Sequence, residues 1–196
     1  MGGVNGDQTA MLRAALAGTG WLARTREFGR ALRRSPRRPG GLLLLGTPAD
    51  EPWHLAAHLD DESRLGRIPE LKPTLVRWAP PPGAPPHLSV GLDRLAETGR
   101  GEALFVVAPQ EAPVPLLERV DDARRTGAVI LSLDGGDREL AGLAHETLTV
   151  PDRLVSFDGA QHLVSAAAAT AEEATRRGLR DRLARLLDAV SGPVPD

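Results

Sequence analysis

The sequence predicts an α/β fold: a three-layer sandwich in which a five-stranded parallel sheet carries helices on both faces. Two observations predict it. Short apolar runs without polar alternation recur along the chain, as strands buried on both faces require. Between them lie stretches of helical periodicity, so strand and helix alternate throughout. In such a sheet ligands sit beyond the carboxyl ends of the strands. The candidate site is therefore built from the loops after Leu45, Trp78, Ala108 and Leu133.

Each element has its own reason. Met11, Leu12, Ala15, Leu22 and Leu32 are roughly helically spaced, predicting a helix over 8–34 that Gly18 and Gly20 weaken and "SPRRPGG" ends. "GLLLLG" is the first strand. "PWHLAAHLDD" reads as the next helix, with Asp50 as N-cap and Pro52 in the first turn. "PTLVRWA" is the second strand, and the prolines of "PPPGAPPH" (80–87) force a loop by denying the backbone its donors. A short helix is expected over 89–98, then a third strand, "EALFVVA". Leu116, Leu117, Val120 and Ala123 form one apolar stripe, and Gly127 ends that helix at C′. "VILSL", "DRELAGLAH" and "ETLTV" supply the fourth strand, a short helix and the fifth strand. From about Asp158 to Val190 the chain reads as helix, broken near Gly178, with "SAAAAT" as a small-residue face. One domain over 1–196 is expected: an N-terminal helix and linker (1–39), an α/β core (40–157) and a C-terminal helical segment (158–190).

Composition bounds the function. A length of 196 residues with 41% apolar content can bury a real core. A net charge of −2 argues against dominant nucleic-acid binding. Cysteine is absent, which excludes disulfides, thiolate zinc sites and Cys nucleophiles. Arg13 interrupts any secretory apolar segment, and the longest aliphatic run, Leu42 to Leu45, is far short of the ~20 residues of a membrane helix. The expected location is the cytoplasm, with no membrane association. Lys72 is the one lysine among 24 basic residues, a bias of high-GC genomes such as those of actinobacteria. Arg30, Arg33, Arg34, Arg37 and Arg38 form the one basic cluster, read as a solvated helix C-terminus; contact with nucleic acid or an acidic partner is the competing reading, and no interleaved aromatics support a single-strand groove.

The order of elements and several segments resemble the sugar isomerase (SIS) domain family. The resemblance is carried by "EALFVVAPQEAPVPLLERVDDARRTGAVILSLDGGDRELAGLAHETLTVP", in which Ala123, Gly127, Ala128, Leu140, Leu143, Ala144, Val150 and Pro151 match the family's spacing. "LLLLGTPADEPWHLAAHL" is similar to the family's first glycine-serine loop and helix. The pattern covers roughly residues 40 to 165. It implies a Rossmann- or flavodoxin-like sheet, binding of phosphosugars or other carbohydrate derivatives, isomerase or sensor activity, and a homodimer whose partner completes the site. It implies no cofactor.

The loops depart from the family's chemistry. A phosphate at a helix N-terminus needs free backbone N–H groups and hydroxyl donors. The first loop keeps Gly46 and Thr47, but Pro48 and Pro52 remove donors, and Asp50 and Glu51 carry the wrong sign. The second loop, Ala108, Pro109, Gln110, Glu111, Ala112 and Pro113, has no Ser, Thr or Gly. Asp50, Glu51 and Glu111 could act as carboxylate bases if they converge with an electrophile. Helix capping is the competing role of Asp50, and solvation that of Glu111.

Gln161 and His162 stand at the start of the last helix, where some family isomerases carry a Gln/Glu/His set; Glu111 and His162 are the catalytic candidates. His54 and His58, four apart, share a helix face like the two ligands of H-E-x-x-H. Leu55 occupies the glutamate position, however, and only Asp61 or Glu62 offers a nearby third ligand, so no metal is expected. The sequence therefore reads as a noncatalytic SIS-like domain, a ligand sensor or interaction module. Gly46, Thr47, Asp50, Glu51, Pro109, Gln110, Glu111, Gln161 and His162 are its candidate ligand contacts. The alternatives are a phosphosugar isomerase with an atypical site, or a structural subunit that completes an active partner.

Overall fold

The computed structural model describes residues 20–151 and 155–170. Five strands form one parallel sheet: β1 (Leu42–Gly46), β2 (Pro73–Val76), β3 (Ala103–Ala108), β4 (Val129–Asp134) and β5 (Glu146–Thr149). The order is β2-β1-β3-β4-β5, and every pair is parallel. β1 and β3 are buried at every position, which is why they read as unbroken apolar runs.

Alternate residues of these strands feed two cores. Leu42, Leu44, Phe105, Val107 and Leu131 face α1 (Trp21–Arg34), α2 (Trp53–Gly66) and α6, whose described residues are helical over 157–170. Leu43, Leu45, Leu104, Val106 and Ile130 face the other layer, which includes α3 (Asp93–Ala96), α4 (Val114–Arg125) and α5 (Arg138–Leu143). The chain thus sends α2 to one face after β1 and α4 to the opposite face after β3.

Several boundaries differ from expectation for local reasons. α1 begins at Trp21, because Gly20 adopts the left-handed conformation and serves as its N-cap; the earlier part of the expected 8–34 helix lies outside the described residues. Asp50 is not an N-cap. α2 starts after Pro52, which caps it without a side-chain bond, and Asp50 instead closes a tight turn with Thr47. The expected helix over 89–98 shrinks to the single turn α3, and a 3₁₀ turn, Pro86–Leu88, forms where the 80–87 loop was expected to end. The second strand stops at Val76, and the Arg77 N–H leaves it to donate to the Val90 carbonyl. Gly127, at φ +97°, ends α4 as expected. The expected break near Gly178 lies outside the described residues.

The small-residue face of the last helix is occupied by the chain itself. A Cβ on Gly29 would lie 2.7 Å from Ala167, so α1 and α6 pack backbone to backbone here. Arg33 donates to the carbonyls of Ala168 and Ala169. The basic cluster is therefore partly structural. Arg38 pairs with Glu102 at 2.8 Å, and the Arg37 N–H donates to the Gly101 carbonyl. The other end of α1 is fixed by Trp21, whose indole N–H donates to the Thr149 carbonyl of β5.

Glu102 is the hub of the amino end of the sheet. It is 1% exposed and accepts from Arg38, from Arg94 and from the Gly99 N–H. Burial by itself raises its pKa, but the hydrogen bonds from Arg38, Arg94 and Gly99 outweigh that and hold it below the ordinary 4.5. A carboxylate whose folded pKa is depressed contributes stability above its unfolded value and loses it as pH falls through the folded one. Glu102→Gln is expected to cost about 1–3 kcal/mol near neutrality, the worth of charged hydrogen bonds. The gap to the native chain should close as pH drops below 4.5. Urea unfolding at stepped pH measures both.

Candidate functional site

The 2-1-3-4-5 strand order puts the topological switch point between β1 and β3. Their loops diverge there and enclose a cleft of about 440 Å³, lined by Thr47, Pro48, Ala49, Asp50, Pro109, Gln110, Glu111 and Pro113. The fold thus brings Thr47, Asp50, Pro109, Gln110 and Glu111 together, as their strand-end positions implied.

The first loop is held tightly. A Cβ on Gly46 would meet the Asp50 carbonyl oxygen at 2.1 Å and Pro52 Cδ at 2.6 Å, so only glycine fits. The Gly46 carbonyl accepts from the Trp78 indole N–H at 2.9 Å. Thr47 is buried, and its hydroxyl accepts from the Asp50 N–H at 3.1 Å. Both residues thus serve the turn.

Glu51 does not join the cleft. Its carboxylate accepts from Arg77 Nε at 3.0 Å and pairs with the same guanidinium at 2.9 Å, while the Trp53 indole donates to it at 3.0 Å. Arg77 also lies 4.5 Å from the centre of the Trp53 ring. The expected repulsion of an anion by Glu51 is therefore cancelled within the protein. Asp50 and Glu111, both exposed, remain as the acidic groups of the cleft.

The second loop is tied to the next helix by Asp137. One carboxylate oxygen caps α5, accepting from Glu139 N at 2.9 Å and Leu140 N at 3.1 Å. The other accepts from the Ala112 N–H at 2.6 Å. Beside it, Gly135 packs against the Pro109 carbonyl, which a Cβ would approach to 2.4 Å. The buried Asp134 anchors the same turn through Ser132, Thr149 and the Gly136 N–H. Of the amides a phosphate could have used, those of Asp50 and Ala112 are thus already committed.

Gln161 and His162 lie apart from the cleft lining. Gln161 is buried, with its amide nitrogen 3.3 Å from Asp158. His162 faces α2 instead. Its ring centre is 4.1 Å from that of His58 and 5.5 Å from that of His54, and the two α2 rings stack at 5.3 Å. The third partner of the histidine pair is therefore His162, not Asp61 or Glu62. Sequence spacing could not reveal it, since it comes from another helix far along the chain. Burial, then the His162 and His54 rings, lower the His58 pKa from 6.5, with Asp61 opposing. Glu111 and His162, the two catalytic candidates, do not share the cleft.

Asp137→Ala removes the α5 cap and the tether to Ala112 together. It is expected to cost about 1–3 kcal/mol and to speed amide exchange at Ala112 and Leu140 more than in β1. Exchange monitored by NMR reads both positions.

No protein-family model matches the chain, and a search of curated proteins finds no relative. Solved structures do share the fold. The NanR protein of Vibrio vulnificus, complexed with ManNAc-6P, superposes with a TM-score of 0.53 at 14% identity, over 98% of this chain and 72% of that one. A protein of Silicibacter pomeroyi DSS-3, provisionally assigned as a phosphosugar isomerase, gives a TM-score of 0.53 at 15% identity. This chain is covered over 90% and spans 51% of that protein. A provisionally assigned sugar-binding protein of Salmonella typhimurium LT2 gives 0.47 at 17% identity, over 89% of this chain and 53% of that one. The chain thus spans about half the length of two of these structures, and it shares its fold with the NanR protein and the Silicibacter pomeroyi protein.

Proposed function

We propose that this chain is a noncatalytic SIS-like module that senses a carbohydrate derivative of the sugar-phosphate type in the switch-point cleft, which holds the ligand by its hydroxyl and amide groups and not by its phosphate. The observation that carries the reading is the separation of roles. The cleft holds the hydrogen-bonding groups of Asp50, Gln110 and Glu111, while His162, the other catalytic candidate, is packed among histidines elsewhere. Carboxylates and an amide suit sugar hydroxyls, an N-acetyl group or an ammonium. They offer no electrophile with which to polarise a carbonyl for proton abstraction. ManNAc-6P in the fold-related NanR structure supports the ligand class. The working unit in this reading is a homodimer, as the family resemblance implies, and its location is the cytoplasm.

Thermal-shift titration with ManNAc-6P, its unphosphorylated sugar and other hexosamine phosphates tests the reading. At least one should raise Tm in a saturable way, and Gln110→Ala should weaken that ligand about tenfold, the worth of one or two hydrogen bonds. Incubation with the same compounds should leave them unchanged. No shift across the panel contradicts the binding, and efficient isomerisation contradicts the noncatalytic assignment.

A further inference from the structure

Three of the chain's five histidines converge from two helices. His54 and His58 lie one turn apart on α2, and His162 projects from α6 in the same layer. One ring nitrogen from each lies within 4.8 Å of the others. A tetrahedral ion with bonds of about 2.0–2.1 Å holds its nitrogens about 3.4 Å apart. The rings therefore need only small side-chain rotations to meet one ion. His54 and His162 are exposed and free to make them.

The centre of the cluster is also incomplete as a protein structure. His58 Nε2 is buried and has no hydrogen-bond partner among the described residues. Buried polar atoms are ordinarily satisfied, so such an atom calls for a water, an ion or a role. The rings packed against His58 are the His54 and His162 imidazoles, with Asp61 also close enough to act on its charge, and three imidazoles can supply three lone pairs to one ion. None of the three residues lines the switch-point cleft, so the cluster is a separate feature.

We propose that His54, His58 and His162 bind one divalent transition-metal ion of the zinc, cobalt and nickel class, bridging α2 to α6. Three neutral nitrogen ligands suit these ions and not Mg²⁺ or Ca²⁺, which take oxygen. Three protein ligands also leave a position for water or an exogenous donor. The ion clamps the start of α6 to α2 and stabilises the folded chain by mass action. The proposal does not depend on what the cleft binds.

The test uses the full chain, freed of metal by a chelator and then dialysed. Zinc chloride titrated by calorimetry should give one ion per chain. The same ion at about a hundredfold excess over Kd should raise Tm by about 5–10 °C, with no rise from magnesium chloride. Cobalt(II) should develop the visible d–d absorption of a low-symmetry nitrogen site. His54→Gln and His162→Gln, both at exposed positions, should keep the native circular dichroism and Tm without metal and should each lose the cobalt band. Absence of stoichiometric binding overturns the proposal. So does zinc binding that persists unchanged in both variants, since the ion then sits elsewhere.

Discussion

The geometry at the carboxyl end of the sheet follows from one constraint: β1 and β3 are adjacent, parallel and buried on both faces. A strand buried on both faces must be covered by helices on both sides. The chain meets that demand by turning to opposite layers after the two central strands. α2 leaves β1 toward the layer of α1 and α6, and α4 leaves β3 toward the layer of α3 and α5. The loops part where the chain divides, and the cleft between them is the geometric consequence. Hydrophobic burial thus creates the site before any polar residue defines it.

Polar residues then decide what the cleft can hold. In a phosphate cradle the loop amides point outward to an anion. Here several point inward to the protein. The Asp50 amide serves Thr47, the Ala112 amide serves Asp137, and prolines occupy positions 48, 109 and 113. The same groups that make the loops rigid remove their appetite for a dianion. Glu51 illustrates the point from the other side. Its charge is spent on Arg77 and the Trp53 indole, so it stiffens the entry to α2 without reaching the cleft. What remains accessible, Asp50, Gln110 and Glu111, offers hydrogen-bonding groups that suit hydroxyls, amides or amines better than phosphate oxygens.

Much of this was legible in the sequence, and the failures have physical causes. β1 and β3 announced themselves because both their faces are apolar, and the cleft residues followed from their places after Leu45 and Ala108. Gly127 and the α4 stripe were readable because the helix end and the buried face obey local rules. Asp50 misled as an N-cap because a competing local bond, from its own amide to Thr47, closed a turn and moved the helix start to Pro52. The Glu51–Arg77 pair, the Asp137 tether and the meeting of His162 with His54 and His58 were invisible. Each joins segments distant in sequence, and their register is set only when the helices dock. The alanines of α6 were visible as a packing face, but Gly29 as their partner was not.

In the function we propose, a carbohydrate derivative sits in the cleft between the β1 and β3 loops and leaves unaltered. Amide chemical-shift mapping of the ¹⁵N-labelled chain, titrated with ManNAc-6P and related hexosamine phosphates, tests both halves in one tube. A ligand seated in the cleft gives saturable shifts concentrated at Thr47, Ala49, Asp50, Gln110 and Glu111, with its own signals unchanged over hours. Shifts concentrated away from these loops, or product signals growing during the titration, would contradict the proposed function.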